Sequence, residues 1–389
     1  MDNNKKTFLN NTLFSIIVIA GMTISMRASN NMLITTVPLI AKYSLHFNNE
    51  IVGFLSAFFT LFSFLSSYFV NIKVTPVKRR YLFIISSFLY GITLPLFYFL
   101  NRVIIWILIP LGGFILGLIM PNIITSANLF DDKKIRERII GIYTIALSVS
   151  LIIQPLVESA ILNVYTLQDV FLWFTPFGIA AAVFSPFLQF PLSETNPLNV
   201  KVATNGGFLV AFFNVLTYNV PFAIITTFGA IYAKEKFGTS FSIDIGIFGI
   251  FFLLSLISRV VLTYVQPANL WKYMLSSMIL TLLGLFTLVV SPSIIVYFLA
   301  FAILGIPHGL TYPLSLTTLS RTYDKKSINK ANSTFYSVFS IIGIVTPLFG
   351  GIASVYIGLN YTFLSLIPFV FLIMLLARIS YKKLEKDVI

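Results

Sequence analysis

The chain has 389 residues, of which 57% are hydrophobic and 10% charged, with a mean hydropathy of +0.93. A soluble domain carries roughly 25% charged residues, so a soluble fold is excluded and the length is counted in membrane spans of ~20 apolar residues. The net charge of +13 does not indicate a nucleic-acid partner, because the basic residues sit in short loops between apolar stretches, and the absence of cysteine excludes disulfide, zinc-thiolate and thiol chemistry.

Twelve spans are predicted. The first covers 12–40. Residues 13–26, behind Lys5 and Lys6, have the length of a signal peptide, but no small-residue cleavage site follows and the segment reads as a retained span. Within it Thr23, Arg27, Asn31 and Thr35 recur every four residues and so share one helix face. The next spans are 51–71, 81–100 and 103–128. Span 5, 138–164, carries a second polar ridge, Ser150, Gln154 and Glu158, and span 6 is 170–192. Residues 193–204 form a polar linker. The second set is 206–232, 244–266, 272–290, 294–319, 333–357 and 360–379. Span 8 places Ser255, Arg259 and Thr263 at four-residue spacing, and span 10 contains His308. The expected domains are a six-helix bundle over 1–192, a cytoplasmic linker over 193–204 and a second six-helix bundle over 205–389.

Lys and Arg set the expected orientation. Twenty of the 26 fall on the face that holds the N-terminus, and only Lys42, Arg102, Lys234 and Lys236 fall on the other. The positive-inside rule then makes both termini cytoplasmic.

The halves repeat. Comparing 113–159 with 305–351 without a gap gives 12 identities in 47 pairs. Gly113, Gly117 and Pro121 match Gly305, Gly309 and Pro313, and Asp132-Lys133-Lys134 matches Asp324-Lys325-Lys326. Gly53 and Phe58-Phe59 match Gly246 and Phe251-Phe252 at an offset of 193. Six spans separate equivalent positions, so the repeat is parallel, with an axis along the membrane normal, as in several transporter folds. Glycines four apart make a smooth face for a neighbouring helix, and Pro bends the helix. Simple helix packing is the preferred reading of both strings.

These residues resemble the major facilitator superfamily over essentially the whole chain. Between spans 2 and 3 the family has a Gly, an Asp and a basic cluster. Here Ser67 and Asn71 precede Lys78, Arg79 and Arg80. In span 5 Gly141 and Pro155 of an exporter-type signature are kept, and span 11 keeps Pro347, Gly350 and Gly351. The resemblance implies an all-α polytopic fold of twelve transmembrane helices in two pseudo-symmetric six-helix bundles that rock about a central cavity lined by spans 1, 4, 7 and 10. It also implies a conformational role for Asn71, Lys78, Arg79 and Arg80.

Four ionisable residues lie within the predicted spans: Arg27, Glu158, Arg259 and His308. A charge at mid-membrane costs roughly 2.5 kcal/mol or more, and such residues turn inward or to water-filled cavities. Arg27 reads as an anion-binding or gating cation, since its fork of donors suits carboxylate or phosphate, or as half of a structural ion pair. Glu158, with Gln154 beside it, reads as a coupling residue that exchanges Arg27 for a proton, or as a permanent partner of Arg27. Arg259 and His308 read as an anion site or as a snorkelling arginine and a satisfied buried histidine. Asn31, Asn122, Asn214, Tyr218 and Tyr312 join them as candidate substrate-binding residues. Against the repeat, Glu158 stands opposite Gly350, Arg259 opposite Ser66 and His308 opposite Leu116.

No phosphate loop for ATP, paired metal-ligand spacing or soluble catalytic segment is found. The expected function is secondary active transport of a small molecule, an organic anion being the leading candidate, with H+ as a coupling ion through Glu158 and no other cofactor. The expected protein is a monomer in the lipid bilayer of the plasma membrane. A proton-antiport exporter of drugs or metabolites is the runner-up. A non-transporting receptor on the same fold and a membrane-embedded enzyme stand behind it.

Overall fold

A computed structural model describes residues 2–71, 73–127, 129, 133–190, 206–265, 267–323 and 328–388. The expected linker 193–204 lies outside the described residues, as do the side chains of both Asp-Lys-Lys strings. The elements are α1 (Asp2–Leu39), α2 (Asn49–Leu65), α3 (Pro76–Leu96), α4 (Ile105–Ala127), α5 (Lys133–Leu162), α6 (Asp169–Phe184), α7 (Gly206–Phe237), α8 (Phe241–Val265), α9 (Leu270–Val290), α10 (Ile294–Thr322) and α11 (Ile328–Val388). No strand occurs among the described residues. Without water to bond exposed backbone groups, only a helix lets a single apolar segment satisfy its own N–H and C=O groups. The hydroxyls that interrupt these segments follow the same rule. Thr23, Ser29, Ser87 and Thr281 each donate to the carbonyl four residues earlier.

Among the described residues eleven segments are long and apolar enough to cross a membrane. The last, Ser337–Glu385, is 49 residues long and is broken at Gly358, whose φ of 78° is open to glycine without strain. Counted on either side of Gly358, the number is twelve. Several boundaries differ from the sequence expectation by four to six residues, among them the end of span 6, at Phe187, and that of the last span, at Glu385. Span 7 runs on to Phe237, past Lys234 and Lys236, because both ammonium groups are held. Lys234 Nζ donates to Thr239 O at 2.8 Å and stands 4.2 Å from the Phe241 ring centre, and Lys236 Nζ donates to Val289 O at 2.7 Å.

The contacts divide the chain into two compact units: Met1–Ile40 with Phe58–Thr195, and Ala41–Ala57 with Asn196–Ile389. In the first unit α1 packs on α5 and α6, and α3 on α4 and α6. In the second, α7 packs on α10 and α11, and α10 on α8 and α9. The short stretch 41–57 enters the second unit through a π-helical turn, Ile40–Ser44, that follows Pro38. Lys42 pairs with Glu235 at 3.3 Å, Tyr43 Oη donates to Ile231 O, and a Cβ on Gly53 would lie 2.9 Å from Gly351 Cα.

Inside each unit the glycine repeat makes the same contact. A Cβ on Gly113 would come within 3.1 Å of the Phe59 carbonyl carbon, and one on Gly305 within 3.0 Å of that of Phe251. Gly117 abuts Ser63 O and Ser66 Oγ, and Gly309 abuts Ser255 O and Ser258 Oγ. The strings are therefore seats for α2 and α8. They also correct the register. Phe59 corresponds to Phe251 and Ser66 to Ser258, an offset of 192 and not 193, so Arg259 stands opposite Ser67. The Phe-Phe doublet in each helix had let the comparison slip by one residue.

Candidate functional site

Polar side chains collect in two places, one in each unit. In the first unit they form a ladder between α1 and α5. Arg27 Nη2 donates to Tyr143 Oη at 3.1 Å, and Asn31 Nδ2 donates to Gln154 Oε1. Thr35 Oγ1 donates to one oxygen of Glu158 at 3.2 Å and Thr36 Oγ1 to the other. Gln154 Nε2 donates to Glu158 as well and reaches Thr35 Oγ1 at 3.3 Å. Glu158 and Gln154 are fully enclosed, and Asn31, Thr35 and Thr36 are buried. The four-residue ridges read from the sequence thus meet face to face. Glu158's partners are three neutral side chains, while Arg27 is engaged by Tyr143, fifteen residues or about 22 Å down α5 at 1.5 Å per residue.

Sequence reasoning passed over Thr36 and Tyr143. Tyr143 extends the Ser150 ridge by two turns, a signal that was available. Thr36 lies 100° around the helix from Thr35 and off the four-residue ridge. It reaches Glu158 because the carboxylate straddles both positions.

The second place lies among α7, α8 and α10. His308 Nδ1 and Ser255 Oγ share a hydrogen bond of 2.7 Å. The imidazole is surrounded by rings, with Phe222, Phe251, Phe252 and Tyr218 centred 4.6, 5.2, 5.5 and 5.8 Å away. Arg259 is within electrostatic reach of His308 and Tyr312. Asn214 Nδ2 donates to Thr311 O at 3.0 Å and Ser315 Oγ at 2.8 Å. Among the described residues Asn214 Oδ1 and the Tyr218 hydroxyl are buried without a hydrogen-bond partner. Such an orphan costs about 1–3 kcal/mol, and here the two stand one turn apart on α7. Tyr312 is more exposed and leans on Phe335 and Phe339.

Two further groups stand apart from these clusters. Asn122 is buried, but its amide donates to Asn71 Oδ1 at 2.9 Å and to Leu118 O, tying α4 to the π-helical turn Ser66–Asn71 that ends α2. Arg79 is also buried and donates to Asn71 O at 2.8 Å and Val74 O at 3.1 Å. Lys78 and Arg80 are exposed, and Arg80 reaches Pro186 O at 3.1 Å. Asp244 was missed because its predicted span began with it. It lies in the first turn of α8, fully buried, and accepts from Thr239, with Lys234 in electrostatic reach.

The geometry supplies two buried carboxylates, Glu158 and Asp244, two half-buried guanidinium groups on α1 and α8, and orphaned hydrogen-bonding atoms on α7. No cluster of three or more metal-ligating His, Cys, Asp or Glu occurs among the described residues.

Comparison with known proteins adds the following. The sequence model of the Major Facilitator Superfamily matches residues 19–268 and again 207–387. No curated protein sequence matches the chain. Three solved structures share its fold at low identity. A bacterial homologue of the human lysosomal transporter Spinster, inward-facing and unoccupied, is 13% identical with a TM-score of 0.77 over 97% of this chain and 98% of that one. A POT family transporter in complex with 5-aminolevulinic acid is 13% identical with a TM-score of 0.79 over 95% and 96%. The nucleoside transporter NupG is 12% identical with a TM-score of 0.72 over 94% and 99%.

Proposed function

The chain belongs to the Major Facilitator Superfamily of membrane transporters, and on that premise we propose that it is a secondary active transporter moving a small organic anion by alternating access, coupled to H+ at Glu158. The carrying observation is the setting of Glu158, enclosed by Thr35, Thr36 and Gln154 with no cation among its partners in the described residues. A buried charge without a counter-charge costs several kcal/mol. A proton that arrives and leaves with each cycle removes that penalty in one state and restores it in another. Away from the span ends positive charge comes from Arg27 and Arg259, and the second buried carboxylate, Asp244, already has Lys234 beside it. That surplus favours an anionic cargo held by Arg27 or Arg259, with His308, Tyr218 and Asn214 supplying hydrogen bonds. The protein works in the plasma membrane with both termini in the cytoplasm, as the distribution of Lys and Arg favours.

The test is flux in proteoliposomes with an imposed pH gradient and a panel of carboxylates, sugars, amino acids and cationic compounds. Glu158→Gln should flatten the pH dependence, and Arg27→Gln or Arg259→Gln should erase the preference for anions. Normal pH dependence in Glu158→Gln removes the proton role. Unchanged charge preference in both arginine variants removes the anion. A second reading, proton-antiport export of apolar compounds, draws on the ring cluster around His308. Outward flux indifferent to substrate charge would favour it.

A further inference from the structure

The surroundings of Glu158 contain more than a proton needs. A carboxyl group that only exchanges H+ requires one oxygen and a path to water. Here the carboxylate is met on three sides. Thr35 and Thr36, on adjacent positions of α1, reach its two different oxygens, and Gln154 closes the third side from one turn below on α5. Asn31 completes the group through Gln154. Every member is more than nine-tenths buried. Each hydroxyl offers two lone pairs once its hydrogen turns away, and a half-turn of the Gln154 amide presents Oε1 where Nε2 now stands. The result is a buried set of hard oxygen donors around a single negative charge, a set suited to hard cations.

The charge count decides the valence. α4 and α6, the other helices packed on α1 and α5 in this unit, carry one charged residue between them, Asp169, which accepts from Thr166 at the start of α6. On α1 Arg27 is eight residues from Thr35, about 12 Å along the axis, and on α5 Tyr143 and Arg138 are about 22 and 30 Å from Glu158. One carboxylate neutralises one monovalent cation and would leave a divalent ion with an uncompensated buried charge. We infer that the Asn31, Thr35, Thr36, Gln154 and Glu158 cradle binds a small alkali cation, Na+ or Li+, in competition with the proton on Glu158. The inference rests on the reading of Glu158 as the coupling residue and widens the identity of the ion. Cation entry displaces the carboxyl proton to water, so binding releases one H+.

The experiment uses the purified full-length chain in detergent, with melting temperature followed against NaCl, LiCl, KCl and choline chloride at constant ionic strength and at three pH values. Ligand binding to the native state raises the melting temperature. The expected result is a saturable rise with Na+ and Li+ and none with K+ or choline. Where the protonated form dominates, the half-saturating Na+ concentration should rise about tenfold per pH unit lowered. Glu158→Gln should lose the response to both Na+ and pH. Thr36→Val should lose the Na+ response of the melting temperature, and Thr36→Ser, which keeps the hydroxyl, should restore it. A single cooperative melting transition in choline chloride checks that each variant is folded. Identical melting in Na+ and choline, or a full Na+ response in Glu158→Gln, overturns the inference. If Na+ binding is absent while pH-driven uptake stands, only the cation site fails. If Na+ binding stands and no cargo moves, only the transport reading fails.

Discussion

Substituting alanine at Gly305 tests the helix seats directly. The added Cβ would lie 3.0 Å from the carbonyl carbon of Phe251 and 3.1 Å from its Cα, with the carbonyl oxygen nearer still. Ordinary contacts of this kind begin at 3.4 Å, and the obstacle is backbone, so α10 must retreat from α8 by about an ångström to clear the carbonyl oxygen. Overfilling of this kind costs about 1–3 kcal/mol. The retreat also stretches two hydrogen bonds across the same face, Ser258 Oγ to Ile306 O at 3.1 Å and Ser255 Oγ to His308 Nδ1 at 2.7 Å, each worth about 1 kcal/mol. Alanine's helix propensity returns about 1 kcal/mol. A net loss of about 3 kcal/mol remains, or about 6–12 °C for a unit of this size. Gly113→Ala meets Phe59 at 3.1 and 3.3 Å and should lose slightly less. The control is Gly141, where an added Cβ meets nothing within 4 Å, and Gly141→Ala should melt at or slightly above the wild type. Gly113 and Gly305 lie in different units, so their effects should add in the double variant. The assay is thermal denaturation in detergent at one fixed scan rate, because membrane proteins often unfold irreversibly. Equal melting temperatures for Gly305→Ala and Gly141→Ala would refute the reasoning.

Other predictions use the same structure. Tyr218→Phe removes a buried hydroxyl with no partner among the described residues, so melting should stay level or rise while cargo affinity falls about fivefold, the value of one hydrogen bond. A fall in both would mean the hydroxyl is structural. Tyr143→Phe frees Arg27 from its 3.1 Å acceptor, and a KM for the transported anion unchanged to within twofold would show that Tyr143 does not position that guanidinium. Arg79→Gln loses the hydrogen bonds to Asn71 O and Val74 O and should cost about 1–3 kcal/mol, measured as lost thermal stability, whereas the exposed Lys78→Gln should cost less than about 0.5 kcal/mol. The half-exposed Lys42–Glu235 pair is worth at most about 1 kcal/mol, so Glu235→Gln should leave the melting temperature nearly unchanged.

The architecture was legible because hydrocarbon solvent imposes a simple rule. A run of ~20 apolar residues becomes a helix, and the predicted spans follow the observed segments closely. The glycine strings were legible as seats because only glycine lets backbones approach this far. Register along α8 was harder, since a Phe doublet in an apolar run matches equally well one residue out. The end of α7 was misread because Lys234 and Lys236 look like loop residues until their acceptors, Thr239 O and Val289 O, are in place. In the α1–α5 ladder, period alone identified Asn31, Thr35, Gln154 and Glu158. It did not identify Thr36, whose reach depends on where a carboxylate on another helix ends. Asn122 shows the same limit from the other side. Its period places the amide inward, and only the structure shows that it donates to Asn71 across one interface. Helical period tells which face a side chain occupies and is silent on what stands opposite.

The assignment of Ala41–Ala57 to the second unit has a consequence for biogenesis. A ribosome delivers this stretch early, but its seat, with Gly53 against Gly351 and Pro347 and Lys42 against Glu235, is made from α7 and α11. Until those helices enter the membrane these contacts cannot form, and the stretch reaches its native packing only with the last part of the chain. Chains truncated before α11 should therefore leave the stretch around Gly53 open to labelling or proteolysis, and a separately expressed carboxy-terminal half should close it.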